Sequence, residues 1–268
     1  MTEEVRWRLL VALGLAPLVL GVVYLGGWPF WVLLALAGLL ATWEWNRLLR
    51  RSGIEPNEPV SLLLGAALAA REAWPGALPW VLASGVLAAM VMELARSRER
   101  SVPGFSGTLA GPLYVPFLLG FLGLFRRAEG PPEGWAWVMG LLLLVWAADT
   151  GAWAGGRLWG RRKLAERISP GKTWEGLWSG AILVAGVAFG LQLSLWRDLE
   201  AVHVGVLAAV AAFGGPIGDL AESWLKRSVG LKDSSHLLPG HGGILDRVDS
   251  LAPVAAAAGL YAYSMGLL

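Results

Sequence analysis

Long apolar runs separated by short basic or glycine- and proline-rich connections set the pattern of this chain. Residues 9–25, 28–43, 59–75, 76–95, 106–125, 135–155, 173–195, 201–225 and 249–268 each read as one membrane-crossing segment. A lipid interior offers the backbone no water, so each run has to close its hydrogen bonds internally as a helix. The pattern therefore predicts an all-α fold, a polytopic integral membrane helical bundle of about nine transmembrane helices. Arg71 interrupts the third run, and Pro75-Gly76 leaves almost no connection to the fourth. The first run follows Arg6 and Arg8, lacks a small-residue cleavage site and continues into more apolar sequence, so it reads as a retained anchor.

Composition supports the same solvent. Of 268 residues, 56% are hydrophobic and 16% charged, a balance that excludes an ordinary water-soluble domain. The 16 Trp suit the headgroup level of a bilayer, where an amphipathic ring has one apolar and one wet side. With no Cys, disulfides, thiolate catalysis and cysteine zinc sites are excluded. Net charge is only +2, so its distribution matters more than its sum. Nine spans would put 18 of the Lys and Arg on the side of the N-terminus and four (Arg71, Arg126, Arg127 and Arg197) on the other. That asymmetry predicts a cytoplasmic N-terminus, an external C-terminus, and cytoplasmic loops at 156–172 and 226–248. The expected location is the cytoplasmic (inner) membrane, with the lipid bilayer as a constant partner and no nucleic acid.

Against this background the polar exceptions concentrate. Of the six Asp, four (Asp219, Asp233, Asp246 and Asp249) lie between 219 and 249, together with Lys226, Arg227, Lys232, Arg247 and two of three His. Carboxylates can hold a divalent cation, cations can meet phosphate oxygens, and the Pro239-Gly240-His241-Gly242-Gly243 turn has little Cβ obstruction to a ligand. Such a combination predicts phosphoryl or nucleotidyl transfer at a membrane surface. Asp149, Asp219, Asp246 and Asp249 fall at one depth under the nine-span topology, and a carboxylate in lipid is costly enough to mark a functional candidate. For Asp149 alone, snorkelling to the interface is an equal reading.

Gly214-Gly215-Pro216-Ile217-Gly218-Asp219 predicts a broken or kinked helix just before Asp219. Beyond it, Asp219, Glu222, Ser223 and Lys226 recur at helical spacing on one face. Asp246 and Asp249 are expected to share a face of the last span. Upstream, Gly151, Gly155, Gly156 and Gly160 have the small-xxx-small spacing of close helix packing. Ser169-Pro170-Gly171-Lys172-Thr173 resembles the end of a P-loop, but Glu166 stands where the first glycine is required. Arg157, Arg161, Arg162, Lys163 and Arg167 are either topogenic or anionic-lipid charges, or phosphate contacts.

Ser223-x-Leu225-Lys226-Arg227, Lys232-Asp233 and Leu238-Pro239-Gly240-His241-Gly242-Gly243-Ile244-x-Asp246-Arg247-Val248-Asp249 together resemble the signature of the phosphatidate cytidylyltransferases, or CDP-diacylglycerol synthases. The stretches Ala148–Gly160 and Ile168–Gly176 are similar to that family as well, and the resemblance covers most of the chain, most generically in the first 100 residues. It implies CMP transfer from CTP to phosphatidate, with CDP-diacylglycerol and pyrophosphate as products, and a requirement for Mg²⁺, with room for a second cation. By the same resemblance Asp219 and Asp246 are cation ligands supported by Asp249 and Asp149. Lys226 and Lys232 join the two aspartates in the catalytic set. Arg227, Arg247, Lys172, Ser223, His241, Gly242 and Gly243 are expected to bind substrate.

Residues 1–105 are expected to form N-terminal helices for packing or a homodimer, and 106–268 the catalytic region. Two alternatives stay open: a CTP-dependent kinase or nucleotidyltransferase for another membrane lipid, and an ion-coupled transporter. Substrate profiling separates the first. The second calls for repeated halves and midplane charges, whereas this chain has no internal repeat.

Overall fold

The computed structural model describes residues 3–95, 102–235, 237 and 242–268, with side chains from residue 14 onward. Arg96, Arg98, Arg100 and His241, and the side chains of Arg6 and Arg8, lie outside the described residues. The chain divides into two compact units, one of residues 1–123 with 228–248, the other of 124–227 with 249–268.

The first unit holds α1 (Glu3–Leu25), α2 (Gly27–Arg51), α3 (Glu58–Ala69), α4 (Leu78–Ala95) and α5 (Val102–Leu119). Helices α2, α3 and α5 share a core of Phe30, Leu34, Leu48, Leu64, Leu68, Val115 and Leu119. Asn57 starts α3: its side chain accepts from the Val60 amide at 3.3 Å, satisfying one of the donors that a helix start leaves open. Inside this core Asn57 N donates to Thr108 Oγ1 at 2.7 Å and Ser61 Oγ to Asn46 Oδ1 at 3.2 Å. Arg71, the interruption of the third apolar run, ends α3 early. Its guanidinium donates to the carbonyls of Leu68 (3.1 Å) and Phe117 (2.6 Å) and lies over the rings of Phe117 and Phe121.

A short helix, α6 (Leu122–Arg126), leads into the second unit. There α7 (Gly134–Trp159) and α8 (Trp174–Gln192) form an antiparallel pair joined by a hairpin of β1 (Lys163–Ala165) and β2 (Ser169–Thr173). The small-xxx-small reading holds in this pair. A Cβ on Gly151 would come within 2.8 Å of Gly180 Cα, and one on Gly180 within 2.7 Å of the Ala148 carbonyl, so only glycine permits this approach. At the other end of the pair, Trp137 and Trp196 are buried against each other, and Trp196 Nε1 donates to the Ala136 carbonyl at 3.1 Å. Helices α9 (Ala201–Ser228) and α11 (Leu251–Ser264) also run antiparallel, with Gly218 against Asp249 and Pro253, and His203 bonded to Tyr261 at 2.8 Å.

Large apolar side chains face outward, among them Trp80, Leu87 and Val91 on α4, Ile182 and Phe189 on α8, and Ile217 on α9. Such a surface suits lipid rather than water. Among the described residues, six helices, α2, α4, α5 continued through α6, α7, α8 and α9, are long and apolar enough to cross a membrane, and Gly14–Leu25, α3 and α11 are shorter apolar helices. The fold is thus a helical membrane protein, but the length criterion supports six crossings and not the expected nine. At about 1.5 Å per residue, α3 reaches roughly 18 Å and α11 roughly 21 Å, short of a hydrocarbon core of about 30 Å.

Two further expectations are corrected. Helix α9 continues through Pro216 without a break. The glycines before Asp219 serve contact with α11 instead of unwinding: a Cβ on Gly218 would run into the Asp249 carbonyl and sit 2.6 Å from Pro253 Cγ. Asp246 and Asp249 do not share one helix either. Asp246 belongs to α10 (Leu245–Val248), Asp249 follows its end, and α11 begins at Leu251.

Candidate functional site

Within the second unit, polar side chains gather along the C-terminal half of α9 and the elements packed beside it. Asp219 accepts from Ser223 Oγ one turn later at 3.2 Å, and Glu222 pairs with Lys226 one turn later at 2.7 Å, as the shared-face spacing predicts. Glu222 is fully buried and Lys226 nearly so. A buried ion pair of this kind is costly to break, because either partner alone would be an uncompensated charge.

The hairpin contributes the next member. Thr173 caps α8 by accepting from the Gly176 amide at 3.1 Å, and Glu175 accepts from the amides of Arg161 and Arg162, so the chain entering α8 is fixed on both sides. From the preceding position Lys172 extends to Asp219 Oδ2 at 2.8 Å and to the Pro216 carbonyl at 3.4 Å. Ser169–Thr173 is therefore a strand that carries a lysine to a carboxylate, not a phosphate-cradling loop. Asp249 is buried; it interacts electrostatically with Asp219 and Asp149 and hydrogen-bonds with Glu222, while Oδ1 accepts from the Ser250 amide at 2.7 Å. Asp149 projects from α7 in an exposed position, and Arg227 is exposed at the end of α9. Of the carboxylates Asp149, Asp219, Glu222 and Asp249, Asp219 pairs with Lys172 and Glu222 with Lys226.

The first unit carries the rest of the signature on residues 228–248. Asp246 Oδ2 accepts from the Gly243 amide (2.7 Å), the Ser234 hydroxyl (2.8 Å) and the Ser234 amide (3.2 Å). Gly242 takes a φ of +78°, where any Cβ would also sit 2.6 Å from that carboxylate oxygen, so glycine is required twice over. Lys232, Asp233 and Arg247 are exposed.

The sequence reading missed one residue of this unit. Glu44, on α2, is completely buried and accepts from the hydroxyls of Ser234 (3.0 Å) and Ser235 (2.5 Å) and from the amides of Ile244 (3.0 Å) and Leu245 (2.6 Å). The amides of Gly243, Ile244 and Leu245 are thus taken up by carboxylates of the protein itself. Glu44 lies one position beyond the apolar run 28–43, at its polar edge. The signal that could have found it is a carboxylate flanked by Trp43 and Trp45 at a run's edge.

Among the described residues, no three His, Cys, Asp or Glu side chains are gathered tightly enough to enclose a metal ion. The donors nevertheless fit Mg²⁺. They are carboxylate oxygens in negative excess, and Mg²⁺ characteristically takes one or two protein carboxylates and leaves its other positions to water and substrate phosphates.

Comparison with known proteins agrees with the motif. A model of the cytidylyltransferase family matches residues 6–265. A phosphatidate cytidylyltransferase of Brucella suis biovar 1 (strain 1330) is 38% identical over 274 aligned positions, which cover 97% of this chain and 93% of the relative. One from Pseudomonas aeruginosa (strain PAO1) is 36% identical over 94% of this chain and 96% of its own length. The chloroplastic phosphatidate cytidylyltransferase 5 of Arabidopsis thaliana is 33% identical over 92% of this chain and 69% of the relative. With a family match over nearly its whole length and a lysine-bound carboxylate array on the helix where the signature begins, the chain belongs to the cytidylyltransferase family.

Proposed function

We propose that this protein is a nucleotidyltransferase that moves CMP from CTP to phosphatidate. A phosphate oxygen of the lipid attacks the α-phosphorus of CTP, the bond from that phosphorus to the bridging oxygen breaks, and pyrophosphate leaves with CDP-diacylglycerol as the lipid product. The observation that carries this reading is the full-length match to phosphatidate cytidylyltransferases, and the acid–base array of α9 supports it.

The attacking group is already an anion near neutral pH, so the protein needs no Ser or Cys nucleophile and no general base. Its task is to align two polyanions and to offset the charge that develops on the leaving group. Lys172 and Lys226 are held by Asp219 and Glu222 at 2.8 and 2.7 Å, which fixes two ammonium groups before substrate arrives. Lys232, Arg227 and Arg247 are exposed cations suited to phosphate oxygens, and Ser223 adds a hydroxyl beside Asp219. In the second unit Asp219, with Asp149 and Asp249, are the residues that would hold Mg²⁺, and on the signature segment of the first unit Asp246 is a separate candidate ligand. When bound, the ion supplies charge neutralisation for the triphosphate and the departing pyrophosphate.

The reaction belongs at the cytoplasmic face. The 18-to-4 partition of basic residues supports a nine-crossing topology with loops 156–172 and 226–248 on the side that holds nucleoside triphosphates. Short helices such as α3 and α11 can complete a crossing where flanking residues snorkel or the bilayer thins. Between α8 and α9 an apolar cleft of about 390 Å³, lined by Ala185, Phe189, Gly205, Ala209 and Phe213, supports lateral entry of acyl tails. The N-terminal helices, whose α4 is little covered within the chain, are the part assigned to a homodimer.

Purified protein given phosphatidate, Mg²⁺ and each of the four nucleoside triphosphates in turn is expected to yield CDP-diacylglycerol with CTP alone, detected by lipid mass analysis. No nucleotidylated lipid with CTP, or a phosphorylated lipid in its place, overturns the reading. Lys232→Ala is expected to raise KM for CTP by about tenfold, the scale of one charge-assisted contact to phosphate, and to leave KM for phosphatidate near its normal value. Unchanged CTP dependence would make Lys232 a structural lysine.

A further inference from the structure

The geometry assigns Glu44 as a positioning residue for CTP use, an assignment that rests on the function proposed above. Its carboxylate has no solvent exposure and lies far from the signature in sequence, 190 positions before Ser234 and 201 before Leu245. Each oxygen accepts one side-chain and one backbone donor: Oε1 from Ser235 Oγ and Ile244 N, Oε2 from Ser234 Oγ and Leu245 N. Three of these donors serve Glu44 alone, and the single Ser234 hydroxyl proton is shared with Asp246 Oδ2, so the buried carboxylate is met on both oxygens.

The donors come from both ends of one loop. Ser234 and Ser235 follow Lys232 and Asp233; Ile244 and Leu245 precede Asp246 and Arg247. A single side chain on α2 thereby joins the segment that follows Lys232 to the start of α10, which carries Asp246 and Arg247. Gly243 is part of the fit, because a Cβ there would collide with both Ser234 Oγ and the Glu44 carboxylate. Ser234 also ties the two carboxylates together: its hydroxyl oxygen lies 3.0 Å from Glu44 Oε2 and 2.8 Å from Asp246 Oδ2. Glu44 touches no substrate in this assignment. It acts by holding the exposed cations of the loop in place before nucleotide arrives.

Glu44→Gln preserves shape and removes the charge. One of the two oxygens, and with it two of the four acceptor positions, becomes an amide NH2 facing donors, so one backbone N–H loses its partner. In the full-length protein, in detergent micelles, amide exchange at Ile244 and Leu245 is expected to accelerate about tenfold or more, with protection in α7 and α8 unchanged. In the CTP and phosphatidate assay, KM for CTP should rise about tenfold with a smaller change in KM for phosphatidate. A fall in turnover at constant KM for CTP, the signature of a merely reduced folded fraction, overturns the assignment, as does unchanged exchange at 244 and 245. If Glu44→Gln fails to insert, Ser235→Ala removes one donor without disturbing α2. It should reproduce the exchange effect and the KM shift at a few-fold, and wild-type values in it overturn the assignment. The exchange measurement needs no turnover, so it stands apart from the outcome of the substrate assay.

Discussion

Asp219→Asn reduces formation of CDP-diacylglycerol by on the order of 10³-fold, the scale on which a preorganised electrostatic group acts in transfer chemistry. The argument is one of charge at fixed shape. The amide oxygen can still accept from Ser223, which lies 3.2 Å away, but Lys172 loses its 2.8 Å carboxylate partner and keeps only the 3.4 Å approach to the Pro216 carbonyl. The negative excess that suits a divalent cation falls at the same stroke. Nothing in the packing of α9 against α11 depends on the charge, so the variant should insert, purify and melt like the wild type. The measurement is lipid product by mass analysis beside thermal unfolding followed by helical circular dichroism. Turnover within a fewfold of wild type removes Asp219 from the site; lost product with a collapsed melting curve makes it a structural residue.

Gly218→Ala has the second large effect, and it arrives through packing. The new methyl group would collide with the Asp249 carbonyl and lie 2.6 Å from Pro253 Cγ, and neither backbone nor proline ring can swing away. Overpacking of this kind costs about 1–3 kcal/mol. It also shifts the backbone next to Asp219 and at Asp249, so activity is expected to fall further than stability alone accounts for. Gly186→Ala is the control, since a Cβ there meets nothing within 4 Å. In a helix interior that substitution should be neutral or stabilise by about 0.5–1 kcal/mol. Equal melting temperatures for the two variants would refute the close-contact account of Gly218.

What the sequence made legible was local. Every apolar run holds a helix, because composition over some 20 residues decides solvent and secondary structure together. The face shared by Asp219, Glu222, Ser223 and Lys226 was readable from helical spacing and reappears as two bonds, Ser223 to Asp219 and Lys226 to Glu222. Length was harder. The run 59–75 looked long enough to cross, but Arg71 finds its carbonyl and aromatic partners at a helix end and stops α3 at Ala69.

The hairpin 163–173 went unread, because its few strand residues have no apolar alternation and take their place from the ends of α7 and α8. Pro216 misled for a related reason. A proline in isolation argues for a break, but α9 runs through Pro216, and Gly215 and Gly218 lie against residues 249–253. Glu44 was beyond any local pattern, since its meaning comes from donors about 200 positions away.

That separation has a consequence for how the protein is made. Helices of the first unit leave the ribosome first, but the segment that satisfies Glu44 is completed only near the end of translation, after α7, α8 and α9 have been delivered. Until then a carboxylate destined for a dry interior has neither serine nor amide to receive. The first unit therefore cannot reach its finished state in the order of synthesis, and a nascent chain halted before Ser234 would leave α2 with a carboxylate whose hydrogen-bond donors do not yet exist.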